Sequence, residues 1–279
     1  MMYLCPTLRT VLPAHHDPFT AILSLPGEVF RAKEGRRTLR VVLGGKPYFL
    51  KAHYGVGWKE IFKNLLQLRL PVVSARNEWQ AIQQLERLGV ATTPLAGYGI
   101  RGFNPARLQS FVLTEALENI VSLEMLCQPW AVDPPRTRAA IRFKRALLIR
   151  VAEIARRLHE RGINHRDFYL CHFCLELSPD TPNRLAQPEP RLYLMDLHRV
   201  QLRRRTPRRW IVKDIGSLYF SALDIGLSRR DLLRFIRHYR GQSLRVVFRQ
   251  EQRFWRAVQK RAFQLYRAHG KVPAELQGG

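Results

Sequence analysis

The amino-acid sequence predicts an α+β chain of two lobes, a small antiparallel sheet with a few helices followed by a larger, mainly helical lobe. Three observations carry this expectation. Short strand-like runs crowd residues 28–52, a proline-rich break stands at Pro129, Pro134 and Pro135, and from residue 137 onward the apolar residues recur at helical spacing. The lobes are expected at residues 1–116 and 117–279.

In the first lobe, TLRVVL and PYFLKA are joined by Gly44-Gly45, a pair suited to a tight hairpin turn. The run GWKEIFKNLLQLRLP spaces Trp58, Ile61, Phe62, Leu65, Leu66 and Leu68 among Lys59, Lys63 and Arg69. That pattern is a basic amphipathic helix. Ser74 is placed to N-cap the next helix, ARNEWQAIQQLERLG, which Gly89 ends. The strand SFVLTEAL follows a stretch rich in Pro and Gly.

In the second lobe, residues 137–161 form the clearest helix, with Leu147, Leu148, Val151, Ile154, Ala155 and Leu158 on one face. FCLEL and RLYLMD read as strands on either side of an exposed excursion, Ser178 to Pro190, which holds four prolines. Arginine-rich helices are expected at Trp210–Leu223, Arg229–Arg240 and about Val246–Ala268. No internal repeat or low-complexity tract is present.

With 46% hydrophobic residues in 279, the chain can bury a sizeable core, and global disorder is excluded. The 47 Lys and Arg against 22 Asp and Glu give a formal charge of +25, which calls for an anionic partner. Nucleic acid, an anionic membrane face, a phosphorylated substrate and an acidic protein all satisfy it. Four cysteines, at 5, 127, 171 and 174, make no disulfide framework and fit a reducing compartment. Cys171-x-x-Cys174 has no second ligand pair for zinc, and His15-His16 has no partner motif. Met1 to Leu25 holds no uninterrupted apolar core for a signal peptide, and no run of about 20 apolar residues follows. The expectation is a cytoplasmic protein, soluble or peripherally bound.

The strongest local signal is INHRDFYLCHF, directly after the long helix. It resembles the catalytic loop of protein-kinase-like enzymes, H-R-D-x-x-x-x-N. The resemblance implies a bilobal protein-kinase-like fold, ATP as donor and Mg²⁺ as metal, with Asp167 as the base that accepts a hydroxyl proton. His172 stands where the family has a metal-binding Asn, and three readings stay open: it holds a second ion weakly, favours a different divalent ion, or does neither. Asp196-Leu197-His198 replaces Asp-Phe-Gly and makes Asp196 the expected metal carboxylate. His198 tolerates positive φ less readily than the Gly it replaces, which argues against a switching segment. Lys51 ends a strand, in the place of the phosphate-orienting lysine, and Glu78 is its expected partner. Thr114, Glu115 and Ala116 take the hinge position, where the backbone of Glu115 and Ala116 would meet an adenine. Asp214 takes the place of the buried Asp that braces the catalytic loop. No G-x-G-x-x-G precedes Lys51, so no residue is assigned to covering the phosphates.

Taken together, HRDFYLCHF, YLMDLHR and VKDIGSLYFSAL resemble the lipopolysaccharide core kinases of Gram-negative bacteria, the heptose I kinases in particular, from about Phe30 to Tyr239. This resemblance implies ATP-dependent phosphorylation of a heptose hydroxyl on a lipopolysaccharide or lipid A-core acceptor, at the cytoplasmic side of the inner membrane. Arg199, Arg203, Arg204 and Arg205, with Arg208 and Arg209 close behind, then become the expected acceptor-binding residues, because guanidinium forks suit phosphate and carboxylate. An anionic inner-membrane surface for the Trp58 helix and an acidic protein are further expected partners; nucleic acid is not. Two alternatives stay open: a protein or small-molecule kinase of the same fold, and a non-catalytic nucleic-acid-binding protein, for which +25 is ample.

Overall fold

A computed structural model of the chain describes residues 1–12, 17–33, 35–66, 74–177 and 190–270. The chain divides into two compact units, one of residues 1–87 with 92–118, the other of residues 119–279 with 88–91.

The first unit runs β1 (Met2–Leu4), α1 (Pro6–Val11), α2 (Pro18–Leu23), β2 (Glu28–Lys33), β3 (Arg36–Leu43), β4 (Lys46–His53), α3 (Gly57–Leu66), α4 (Arg76–Arg87), β5 (Leu95–Arg101) and β6 (Gln109–Glu115). Its strands form one antiparallel sheet in the order β1-β5-β6-β4-β3-β2. Gly44 and Gly45 close the β3–β4 hairpin at φ +56° and +76°, the left-handed region that such a turn requires. Along β4, Tyr48, Leu50 and Ala52 turn into the core while Phe49 and Lys51 take the other face. That core joins Leu4, Leu8, Phe19, Ile22, Leu39, Val41 and Phe111 to the β4 residues.

Three parts of this unit depart from the sequence reading. The first 25 residues supply β1, α1 and α2, for which the sequence offered no periodic pattern. The strand β5, LAGYGIR, hides behind two glycines of low strand propensity. Close packing asks for them: a Cβ at Gly97 would lie 2.7 Å from the Leu4 side chain, and one at Gly99 2.5 Å from the Phe111 ring. Ser74 does not cap α4 as expected; its hydroxyl meets the Arg76 amide only at 3.4 Å, while the buried Ala75 amide donates to Ser110 Oγ at 2.9 Å. Gly89 ends the helix at φ +63°, as expected. The predicted extension of α3 to Leu68 and Arg69 lies outside the described residues.

The second unit runs β7 (Ile120–Ser122), α5 (Leu123–Cys127), α6 (Arg138–Glu160), β8 (Ile163–Asn164), β9 (Phe173–Glu176), β10 (Leu192–Leu194), β11 (Gln201–Leu202), α7 (Arg208–Ser221), α8 (Arg229–Arg240) and α9 (Leu244–Ala268). Thr137 caps α6 by accepting the Ala140 amide at 3.2 Å. The helix buries Phe143, Leu147, Val151, Ile154 and Leu158 along one stripe. Ser228 and Asp231 make a reciprocal capping box that starts α8, and Gly241 ends it at φ +63°. The expected hairpin forms between β9 and β10, with β7 on the other side of β9. Of the excursion between these two strands, only Pro190 is among the described residues. A second pairing, β8 with β11, ties the segment before the HRD sequence to the segment after Asp196.

Helices α6, α7, α8 and α9 surround a cavity of about 570 Å³ whose lining is dominated by residues such as Leu147, Val151, Leu218, Phe235 and Trp255. Among the described residues no helix is long and apolar enough to cross a membrane. All four cysteines are free.

Candidate active site

In the first unit, the sheet sets Lys51 opposite α4. Its ammonium lies 2.5 Å from Glu78 Oε1, and Glu78 is buried, so the carboxylate is held out of water by the same pair that neutralises it. The expected partnership is therefore formed. At the hinge position both backbone N–H groups have partners within the sheet unit. The Glu115 amide donates to the Pro94 carbonyl and the Ala116 amide to the Pro47 carbonyl, both at 3.0 Å. Neither N–H is left to donate to a base, because tying β6 to its neighbours uses both.

In the second unit, the catalytic loop is built around Asp214, which is fully buried in α7. Its carboxylate accepts the His165 amide at 2.6 Å and the Arg166 amide at 2.9 Å. Arg166 sits at φ +76°, in the left-handed region that costs a non-glycine residue about 1–2 kcal/mol. Two charge-assisted bonds from one carboxylate hold that conformation in place. A third contact comes from His159 Nε2, 3.3 Å from Asp214, while His159 Nδ1 lies 2.8 Å from the Tyr239 hydroxyl. A carboxylate only accepts, so Nε2 carries the proton and Nδ1 accepts from Tyr239. Burial pushes the Tyr239 phenol well above its ordinary range, so the hydroxyl keeps the proton it donates. Neither His159 nor Tyr239 was marked by the sequence. They lie 80 positions apart and only the packing of α6 on α8 joins them.

His165 points its Nε2 to the Met195 carbonyl at 2.9 Å and is fully buried, which pushes its pKa down and keeps it neutral. It thus links the HRD loop to the residue before Asp196. Asp167 is half-buried, and Arg199 donates to its Oδ1 at 2.7 Å. Arg199 was expected to bind acceptor; here it also orients the expected base.

Asp196 itself occupies the left-handed region, φ +60° and ψ +56°, which Asp tolerates better than most residues. His198, expected to be the awkward substitution at this point, sits instead in a short 3-10 turn and places Nδ1 2.5 Å from Asp196 Oδ1. His172, the second expected metal residue, stands beside Asp196. Its Nδ1 donates to the Asp167 carbonyl at 2.6 Å, and its Nε2 stands 3.7 Å from Asp196 Oδ2. A hydrogen bond with the Cys171 side chain, followed by the one to Asp167, raises its pKa to about 9 against the opposing effect of burial. With Nδ1 bonded to the Asp167 carbonyl, Nε2 is the ring nitrogen that faces Asp196. Among the described residues no cluster of three or more His, Cys, Asp or Glu side chains is placed to hold a metal by itself. One carboxylate suits Mg²⁺, which keeps water and substrate phosphate in most of its positions.

Beyond Arg199, the arginine segment splits. Arg203 is held by Asn164 Oδ1 and, at 2.6 Å, by Gln201 Oε1, whereas Arg204 and Arg205 are exposed.

A sheet bearing a Lys–Glu pair and a helical unit bearing an Asp-braced HRD loop with a second Asp after a β-hairpin define the class of protein-kinase-like phosphotransferases. The comparisons with known proteins agree. The lipopolysaccharide kinase (Kdo/WaaP) family matches residues 20–239. The chain is 48% identical over 250 residues, 90% of each chain, to the lipopolysaccharide core heptose(I) kinase WaaP of Pseudomonas aeruginosa. It is 49% identical over 236 residues to WaaP of Escherichia coli K12, covering 85% of this chain and 86% of that one. A solved structure described as WaaP in complex with acyl carrier protein superposes with a TM-score of 0.79 at 42% identity, covering 95% of this chain and 99% of that one. The chain belongs to the lipopolysaccharide kinase (Kdo/WaaP) family, whose members are kinases and therefore use ATP.

Proposed function

We infer that the protein transfers the γ-phosphoryl group of ATP to a heptose hydroxyl of the lipopolysaccharide inner core. The observation that supports this best is the braced HRD loop in a chain about half identical, over nearly its whole length, to heptose(I) kinases. In this reading Asp167 accepts the hydroxyl proton as the sugar oxygen bonds to the γ-phosphorus. The bond from that phosphorus to the bridging oxygen breaks, and ADP leaves. Arg199 holds Asp167 in its rotamer. Lys51, fixed by Glu78, orients the nucleotide phosphates. Asp196 would hold Mg²⁺, which supplies neutralisation of phosphate charge when bound. Arg203, Arg204 and Arg205 would meet the anionic acceptor.

The partners follow from charge and exposure. On α3, Trp58, Phe62 and Leu66 are 50%, 58% and 86% exposed at i, i+4 and i+8, beside Lys59 and Lys63. That face fits the headgroup boundary of an anionic inner-membrane leaflet, where each nearby Lys contributes about 1 kcal/mol. Acyl carrier protein is an acidic partner in the related complex. A net charge of +25 and the apolar cavity in the helical unit suit such a protein and the acyl chain it carries.

The deciding experiment is ATP turnover with core lipopolysaccharide lacking its heptose phosphates, against a protein acceptor. Stoichiometric phosphate on heptose supports the reading. Transfer to protein alone, or none to the glycolipid, overturns it.

A further inference from the structure

Four cations from three separate stretches of the helical unit converge on one indole. Arg166 of the catalytic loop, Arg203 after β11, and Arg209 and Lys213 of α7 stand 5.4, 5.6, 5.5 and 4.5 Å from the centre of the Trp210 ring. An aromatic face attracts each cation without neutralising it. All four charges therefore lie within about one Debye length of each other and repel.

Some arginines of the chain have a carboxylate beside them, as Arg101 has Asp17, Arg156 has Glu160 and Arg240 has Glu251. Among the described residues none of the four makes an ion pair. Arg203 is fixed instead by two neutral amide oxygens, those of Asn164 and Gln201, which orient the guanidinium and leave its charge intact. The carboxylates that act on Arg166 have other partners, Asp214 the loop amides and Asp167 the Arg199 guanidinium. Burial, with repulsion from Arg199 and Arg203, lowers the pKa of Arg166 against the attraction of Asp167 and Asp214. The first turn of α7 adds to the same field, since it has no acidic residue and no side-chain cap on its amides. Arg209 and Lys213 are exposed, so an anion in solution can reach the cluster.

We propose that Arg166, Arg203, Arg209 and Lys213, gathered around Trp210, form a subsite for a phosphate or carboxylate carried by the acceptor, next to the hydroxyl that Asp167 activates. This rests on the acceptor reading given above and adds what that reading lacks, a second anchor point that fixes which hydroxyl faces the base. Guanidinium forks and a flexible ammonium suit either anion. The acceptor is selected because only a sugar with an anion at that distance spans both places.

The test uses the full chain and the double variant Arg209→Gln with Lys213→Gln, both at exposed positions. Three acceptors are compared: core lipopolysaccharide lacking heptose phosphates, the same material with carboxylates methyl-esterified, and the same with its remaining phosphates removed. The double variant is expected to raise KM for the untreated acceptor about tenfold, with KM for ATP unchanged. On the acceptor stripped of the recognised anion, variant and wild type should share one raised KM, which tells carboxylate from phosphate. An equal loss on all three acceptors, or none on any, overturns the subsite. No turnover by the wild type on any acceptor would count against the kinase reading instead. For that case, inorganic phosphate binding is followed by tryptophan fluorescence, with Trp210→Phe as the blank. Binding about tenfold weaker in the double variant supports the subsite, and no Trp210-dependent binding by wild type overturns it.

Discussion

Replacing Asp214 by Asn tests how the catalytic loop is held. The substitution keeps volume and removes charge. The carboxylate now serves two backbone donors, His165 at 2.6 Å and Arg166 at 2.9 Å, in a fully buried position. An amide oxygen serves one of them as a neutral bond, weakening it by about 1 kcal/mol, and the NH₂ group faces the other, stranding a buried donor at about 1–3 kcal/mol. The sum, about 3 kcal/mol, exceeds the 1–2 kcal/mol that Arg166 needs to stay at positive φ. The loop should therefore leave its active geometry for most of the time. At about 1.4 kcal/mol per factor of ten, kcat should fall roughly 100-fold. Initial rates at saturating ATP and acceptor read this directly, with urea unfolding monitored by circular dichroism to establish that the variant is folded. A folded Asp214→Asn protein with kcat within threefold of wild type would refute the bracing argument.

Tyr239→Phe removes only the outer donor of the same chain, and a several-fold loss of kcat with about 1 kcal/mol of stability is expected from the same two assays. Asp167→Ala should abolish phosphate transfer while leaving the thermal unfolding temperature within a few degrees, checked by calorimetry. Lys51→Met should raise KM for ATP at least tenfold without changing KM for the acceptor, measured by steady-state kinetics. Asp231→Asn should lower stability at neutral pH by about 3 kcal/mol, since the buried carboxylate pairs with Lys144 at 2.7 Å and caps α8. Burial pushes Asp231 up, but hydrogen bonds from Lys144 and Ser228 outweigh it and hold the carboxyl below its ordinary value. Its contribution is therefore complete above the unfolded value of about 3.9 and lost as pH falls through the lower folded value. Chemical unfolding across pH 2–7 should show the gap between wild type and variant closing only at the acid end.

The HRD sequence, the Asp after the apolar strand RLYLM and the Lys at the end of β4 were legible because each is short, local and tied to a recognisable element. Their local settings agree: a hairpin leads into Asp196, and Lys51 meets Glu78 across 27 positions. Helices α6 and α8 were legible almost to the residue, since capping residues and a 3.6-residue apolar period both act within one or two turns. The strand β5 was not, because its glycines answer to Leu4 and Phe111, residues distant in the chain. For the same reason Ser74 looked like a cap, and only the arrival of Ser110 shows which amide needed one.

Sequence alone determined which residue types the candidate site holds, because the side chains of the HRD sequence, of the Asp after RLYLM and of Lys51 in β4 keep their chemistry wherever they fold. Tertiary structure decided how they are tuned. Which ring nitrogen of His172 faces Asp196 depends on a carbonyl placed by loop geometry. Whether Arg203 meets a carboxylate of its own chain or only neutral oxygens depends on two amide oxygens brought to it by the pairing of β8 with β11. Charge and hydrogen-bond energies fall off over a few ångströms, so partners far apart in the chain set them, and no reading of one segment contains that distance.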